Sequence, residues 1–141
     1  MLYIGIDTGD DTGFAVWNSD KRKLESVFSV DFWQCISNIS NYSKRCSDLM
    51  VIMEAPAPKN VLLNKDSNID SNVIRRNSNS YISAKRDAIL ISGYCEQNNI
   101  RYKHIKLCSS KWSPAYFRQL TGIKARTSRT SINAVRLVWG M

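Results

Sequence analysis

Two acids stand where a carboxylate can do chemistry. Leu2-Tyr3-Ile4-Gly5-Ile6-Asp7 reads as a buried strand ending on an acid, and Leu49-Met50-Val51-Ile52-Met53-Glu54 reads as another. In open α/β sheets, ligands bind at the edge formed by the C-terminal ends of the strands. If the two strands are neighbours, Asp7 and Glu54 project together at that edge. Two carboxylates held close repel unless a proton or a cation separates them. Mg²⁺ suits such a place, being a hard ion that takes a few carboxylates and keeps waters and substrate phosphates. A metal pair on a phosphodiester can activate water and stabilise the leaving oxygen. Each acid also has a plain structural use. Asp7 can accept from amides of the Gly9–Gly13 turn, and Glu54 can pair with an arginine. The two placements in one short chain favour a shared site.

The charge distribution says what the site would meet. The 141-residue chain carries a formal net charge of +8. Residues 1–96 hold 11 Lys and Arg against 12 Asp and Glu, a net of −1, whereas residues 97–141 hold 9 against none, a net of +9. A one-sign field of that length suits a polyanion, because each neutralised phosphate releases counterions. A solvated basic face with no partner is the plain alternative. Hydrophobic residues make up 43% of the chain, enough for a packed core and too many for a disordered polymer. No apolar run approaches the roughly 20 residues of a membrane helix, so no membrane contact is expected. Met1-Leu2-Tyr3-Ile4 has no basic flank, so no signal peptide is expected. Cys35, Cys46, Cys95 and Cys108 form no CxxC pair, and His104 is the single histidine. They read as reduced, mostly buried thiols rather than a zinc site.

The elements that must position these groups follow from pattern. A first strand over 2–7, turn residues 8–13, a strand over 14–17 and a third over 24–31 form an antiparallel meander. Asp31 can cap a helix over 32–46, with Phe32, Cys35, Ile36 and Ile39 on one face. The strand over 49–54 is continuously apolar, as a doubly covered central strand is. Residues of about 57–79 are rich in Asn, Ser, Lys and Arg and read as a long mobile loop. A helix over 79–98 would turn Ile82, Ile89, Ala84 and Ala88 inward. A strand over 101–107 follows, then a helix capped by Ser109 or Ser110, with Lys111 at its start. A basic linker over 122–127 leads to a last helix begun by Ser128 or Thr130. The order β-β-β-α-β-α-β-α-α predicts an α/β fold, a mixed five-stranded sheet with helices on both faces, in one domain over 1–141.

These motifs are similar to those of a known family. Ile4-Gly5-Ile6-Asp7-Thr8-Gly9 followed by Gly13-Phe14-Ala15-Val16 resembles the first hairpin of the ribonuclease H-like superfamily. Val51-Ile52-Met53-Glu54-Ala55-Pro56 resembles the fourth strand of its RuvC-type Holliday junction resolvases. The tail from Lys111-Trp112 through Phe117-Arg118-Gln119-Leu120-Thr121-Gly122 to Asn133-Ala134-Val135-Arg136-Leu137-Val138-Trp139-Gly140 resembles the phage and bacterial members. The resemblance implies a ribonuclease H-like fold, a homodimer, and Mg²⁺-dependent (or Mn²⁺-dependent) cutting of four-way or related branched DNA in recombination and repair. It implies action in a bacterial cytoplasm or a phage-infected cell, with no nucleotide cofactor. Actin-type ATPases and sugar kinases open with a similar strand–Asp–x–Gly turn, but they are longer and need a second phosphate loop and an adenosine pocket. Small YqgF-type relatives match in size and lack the Lys-Trp-led tail.

The chain departs from the family at one place. The family draws four ligands, one from the first strand, one from the fourth and two from the last helix, three residues apart. Asp7 and Glu54 match the first two, and Lys111, at the start of a helix just after the fifth strand, would hold its ammonium near the same sheet edge as a catalytic residue. Where an Asp or His and then an Asp are expected, this chain has Thr130 and Asn133. Asn133 keeps an oxygen but loses the charge that holds Mg²⁺. It is either a change made to block cleavage, or the mark of a natural binding-only relative, or a sign that another acid (Asp10, Asp11 or Asp87) serves as ligand. For DNA contact the sequence offers Arg75 and Arg76 in the long loop, Lys85 and Arg86 on the next helix, and Arg118, Lys124, Arg126 and Arg129 in the tail. Tyr81 or Phe117 would stack on a base or join the core. Trp112 and Trp139 read as core or interface, and His104 as a phosphate contact or surface residue.

Overall fold

The computed structural model describes residues 1–55, 71–107 and 110–141, with the backbone alone described over 71–80. In chain order the elements are β1 (Leu2–Asp7), β2 (Thr12–Asn18), β3 (Lys23–Val30), α1 (Phe32–Arg45), β4 (Leu49–Glu54), α2 (Ser71–Gln97), β5 (Arg101–Ile105), α3 (Pro114–Thr121) and α4 (Arg129–Val138). The strands form one mixed sheet in the order β3-β2-β1-β4-β5. β1, β2 and β3 make the expected antiparallel meander, while β4 runs parallel to β1 and β5 parallel to β4.

Alternation along the strands sorts the core into two layers. Ile4, Ile6, Phe14, Val16, Val51 and Met53 face one way and pack with Cys35 and Ile39 of α1 and Ile91 and Cys95 of α2. Ala15, Trp17 and Ile52 face the other way and pack with Phe117 of α3 and the buried side of α4. β1 and β4 are covered on both sides, which is why they read as unbroken apolar runs. The helix starts are set by local chemistry. The Asp31 side chain accepts from the Gln34 backbone N–H while the Gln34 side chain accepts from the Asp31 backbone N–H, a closed capping box. Ser128 caps α4 by accepting from the Ser131 N–H.

Four expectations need correction. α2 begins at Ser71, so residues 71–79 of the expected loop are helical; the rest of that loop, 57–70, lies outside the described residues, as does Cys108. Ile82 and Ile89 face outward at 63% and 59% exposure, and the buried stripe is Ala88, Ile91 and Cys95. The outward pair sits one residue on from Tyr81 and Ala88, about 100° around the helix. α3 starts at Pro114 with Ser113 as its cap, rather than at Ser109 or Ser110. Proline has a fixed φ and no N–H, so it belongs at the first helical position and makes the preceding residue the cap. Lys111 therefore precedes the helix instead of starting it. Ile105 ends β5, two residues early.

α4 crosses the sheet at backbone contact. A Cβ on Gly5 would lie 2.1 Å from the Ala134 carbonyl oxygen, and one on Gly13 would lie 2.0 Å from that of Thr130. The hydroxyl of Ser29 on β3 meets those of Ser128 and Ser131 at 2.6 and 3.0 Å. Gly13→Ala is expected to lower stability by about 3 kcal/mol, the upper range for overpacking against a surface that cannot yield. Gly93→Ala meets nothing within 4 Å and should be neutral or stabilising by up to about 1 kcal/mol through helix propensity. Urea unfolding of both variants checks this, and equal stabilities would remove the close approach.

Candidate functional site

The parallel register pairs Gly5 with Ile52 and Ile6 with Met53. One step further, Asp7 and Glu54 end adjacent strands, whose backbones lie about 4.8 Å apart. Asp7 lies two residues beyond Gly5 and Glu54 two beyond Ile52, so both carboxylates point to the face that α4 covers. On the neighbouring side they line a cleft of about 220 Å³ shared with Thr8, Tyr81, Ala84 and Lys85. The Thr8 hydroxyl donates to the Ala84 carbonyl at 2.9 Å and ties the end of β1 to α2.

The residue of α4 that meets Asp7 is Asn133. Its Nδ2 donates to Asp7 Oδ2 at 2.9 Å. Its Oδ1 accepts from Arg136 Nη1 at 3.0 Å, and Arg136 Nη2 donates to the Ser110 carbonyl at 3.2 Å. Asp7 is 8% exposed, and burial pushes its carboxyl up to about 6; the Asn133 hydrogen bond opposes this, Glu54 adds to it, and Arg136 opposes it. Glu54 is also pushed upward by burial, against the pull of Arg136 and Lys111. Two acids short of solvent thus sit between two cations. Lys111 reaches this environment from the segment before α3.

The other expected site residues fall in different places. Thr130 packs its methyl over the Gly9 turn, 3.2 Å from where a Cβ on Gly9 would be. Its hydroxyl meets that of Ser128 at 3.1 Å. Asp87 is buried on α2 beside Arg86, at 3.3 Å, and Asp10 and Asp11 are exposed in the turn. None of these acids lines the cleft. Lys85 joins Asp7 and Glu54 at the cleft. Arg118, Lys124 and Arg126 line a second groove, of about 350 Å³, with Phe117 and Thr127. Arg129 is exposed in the first turn of α4. Arg75 and Arg76 lie on α2, with side chains outside the described residues. Phe117 is core at 1% exposure, and Trp112 packs edge-on against Trp139. His104 is exposed and bonds Ser92 at 2.9 Å. Cys35, Cys46 and Cys95 are free thiols.

Arg136 is the residue that sequence reasoning missed. Its signal was present, since it follows Asn133 at the i+3 spacing that puts both on one helix face. Among the described residues, no group of three or more His, Cys, Asp or Glu gathers to hold a metal ion. The four-ligand, two-ion centre implied by the resemblance does not fit this arrangement. Asp7 and Glu54 supply two carboxylates, and the third position presents an N–H donor to Asp7. Comparison with known protein families gives no match, and comparison with curated proteins gives none either.

The raised Asp7 value has a stability consequence. Between its ordinary value of 3.8 and about 6, the folded chain keeps a proton that the unfolded chain has lost. Stability then falls as pH rises through that window, by about 2–3 kcal/mol from this residue. Urea unfolding at pH 4 and pH 7.5 should show a wild-type decline that exceeds that of Asp7→Asn by this amount. Parallel declines in the two proteins would remove the assignment.

Proposed function

We propose that this chain is a ribonuclease H-like protein that binds four-way or related branched DNA. Its junction-endonuclease centre is present in outline and weakened or silent in cutting. One observation carries the reading. Two strand-end acids on adjacent parallel strands face the last helix, which meets them with Asn133 where a carboxylate is required for cleavage. The mixed sheet, with its first and fourth strands side by side, supports the family resemblance. The acid-free tail supports a polyanionic partner, since it supplies Arg118, Lys124 and Arg126 along one groove, Arg129 exposed at the start of α4, and Lys111 acting on Glu54. Lys85 adds a cation on the α2 side. Phosphate contacts from these groups would position DNA, and the cleft would take one backbone segment. Ile82, Ile89 and Leu90 leave an apolar stripe exposed on α2, which supports self-association. A two-fold dimer would present two equivalent centres to a junction. No helix among the described residues is long and apolar enough to cross a membrane.

A second reading, Mg²⁺- or Mn²⁺-dependent cutting by the chain as it stands, is favoured by the adjacency of Asp7 and Glu54 alone. Fluorescence anisotropy in EDTA separates the outcomes. A four-way junction is expected to bind at least about tenfold tighter than a duplex of equal length. The binding constant should fall steeply with salt, and Arg118→Ala/Lys124→Ala/Arg126→Ala should flatten the log–log slope by about 3. Incubation with Mg²⁺ or Mn²⁺ should leave the junction essentially intact. Fast, symmetric cutting would favour the second reading, and salt-insensitive binding without preference for the junction would sink both.

A further inference from the structure

The Asp7–Asn133–Arg136 chain determines more than the absence of one carboxylate. An asparagine amide has an accepting oxygen and a donating nitrogen, whereas a guanidinium only donates. Arg136 Nη1 stands 3.0 Å from Oδ1 of Asn133. With the amide turned the other way, its NH₂ would face the guanidinium and its oxygen would face a carboxylate oxygen. Both contacts would be repulsive. Arg136 therefore dictates that Asn133 gives its N–H to Asp7. The guanidinium is itself gripped from a second element, by the Ser110 carbonyl, so it cannot swing away without losing two bonds.

We propose that Arg136 is the resident cation of this centre, a positioning residue that locks Asn133 as a donor to Asp7 and keeps divalent metal out. The inference rests on reading Asp7 and Glu54 as the centre, and it gives that centre a metal response of its own. An arriving dication meets a fixed positive charge, an Asp7 oxygen already engaged by Asn133, and an asparagine oxygen turned to Arg136. Restoring the family's acid by Asn133→Asp alone would not rebuild a metal site. The new carboxylate would pair with Arg136 through charge-assisted hydrogen bonds and remain poorly available to an ion. Metal competence would need both positions changed together. Asn133 and Arg136 thus behave as a matched pair one helical turn apart.

Isothermal titration with Mn²⁺ alone, on the full chain without DNA, tests this in a four-protein cycle of wild type, Arg136→Met, Asn133→Asp and the double variant. Arg136→Met is expected to bind Mn²⁺ at least about tenfold tighter than wild type, because removing a unit charge about 5 Å from a dication changes affinity by roughly that order even at the dielectric of bulk water, about 80. Asn133→Asp alone should stay within about threefold of wild type, while the double variant should exceed the product of the single effects by about tenfold or more. Arg136→Gln, whose amide can still donate to Asn133 without a charge, carries the same test should Arg136→Met not fold. The proposal is overturned if neither Arg136 variant tightens Mn²⁺ binding, or if Asn133→Asp by itself gives the whole gain. Because no DNA is present, either result leaves the branched-DNA reading standing. Loss of junction binding would in turn leave the metal result standing.

Discussion

The contact on which the rest depends is backbone against backbone. α4 lies on β1 and β2 with its Thr130 and Ala134 carbonyls where the Cβ atoms of Gly13 and Gly5 would be. Side chains usually hold a helix about 10 Å from a sheet, as they do stacked sheets; here two missing side chains let it sink. That descent brings Asn133 within hydrogen-bonding distance of Asp7. It also lets Ser128 and Ser131 reach Ser29 across β3, pinning the start of the helix. The apolar contacts of α4 are made by Ile132, Val135, Leu137 and Val138, which are nearly fully buried. A close-packed interior transmits small displacements rather than absorbing them. The geometry at Asp7 is therefore tied to two glycines that touch no ligand.

Charge placement follows from the same docking. Asp7 and Glu54 come from a part of the chain that is almost neutral, and both are partly stripped of water, which raises their proton affinity. The cations that oppose this, Arg136 and Lys111, come from the acid-free tail. So the basic tail has an internal task beside any external one: it supplies counter-charge to the strand-end acids. Buried charges left without partners are costly, and partners delivered by a different element couple that element to the fold. The exposed cations Arg118, Lys124 and Arg126 stand apart in their own groove, free of that task and turned to solvent.

Much of the sheet and its helix starts could be read locally. The apolar runs of β1 and β4, the alternation along β3, the Asp31 cap and the Ser128 cap all depend on residues within a few positions of one another. The errors arose where distant elements decide. Ile82 and Ile89 have the spacing of a core stripe, but the sheet beneath α2 accepts the smaller Ala88 and the Ile91–Cys95 stripe one residue around. Ser109 and Ser110 are plausible caps until Pro114 is recognised as the first helical residue, with Ser113 before it. Lys85 was read only as a DNA contact on the helix after the loop, whereas the fold sets it in the cleft beside Asp7 and Glu54.

By itself the sequence determined the strand order of polarity, the acids at the ends of β1 and β4, the acid-free tail, and the asparagine at position 133. Those are properties of residue type and short spacing, which no folding can change. Only the tertiary structure decided what that asparagine faces. Parallel pairing of β1 with β4 set Asp7 beside Glu54. The glycine-permitted descent of α4 turned Asn133 toward Asp7, and a donor-only guanidinium one turn later fixed which end of the amide faces it. That last choice depends on three groups more than a hundred residues apart in part, brought within about 3 Å, the range where hydrogen bonds have direction.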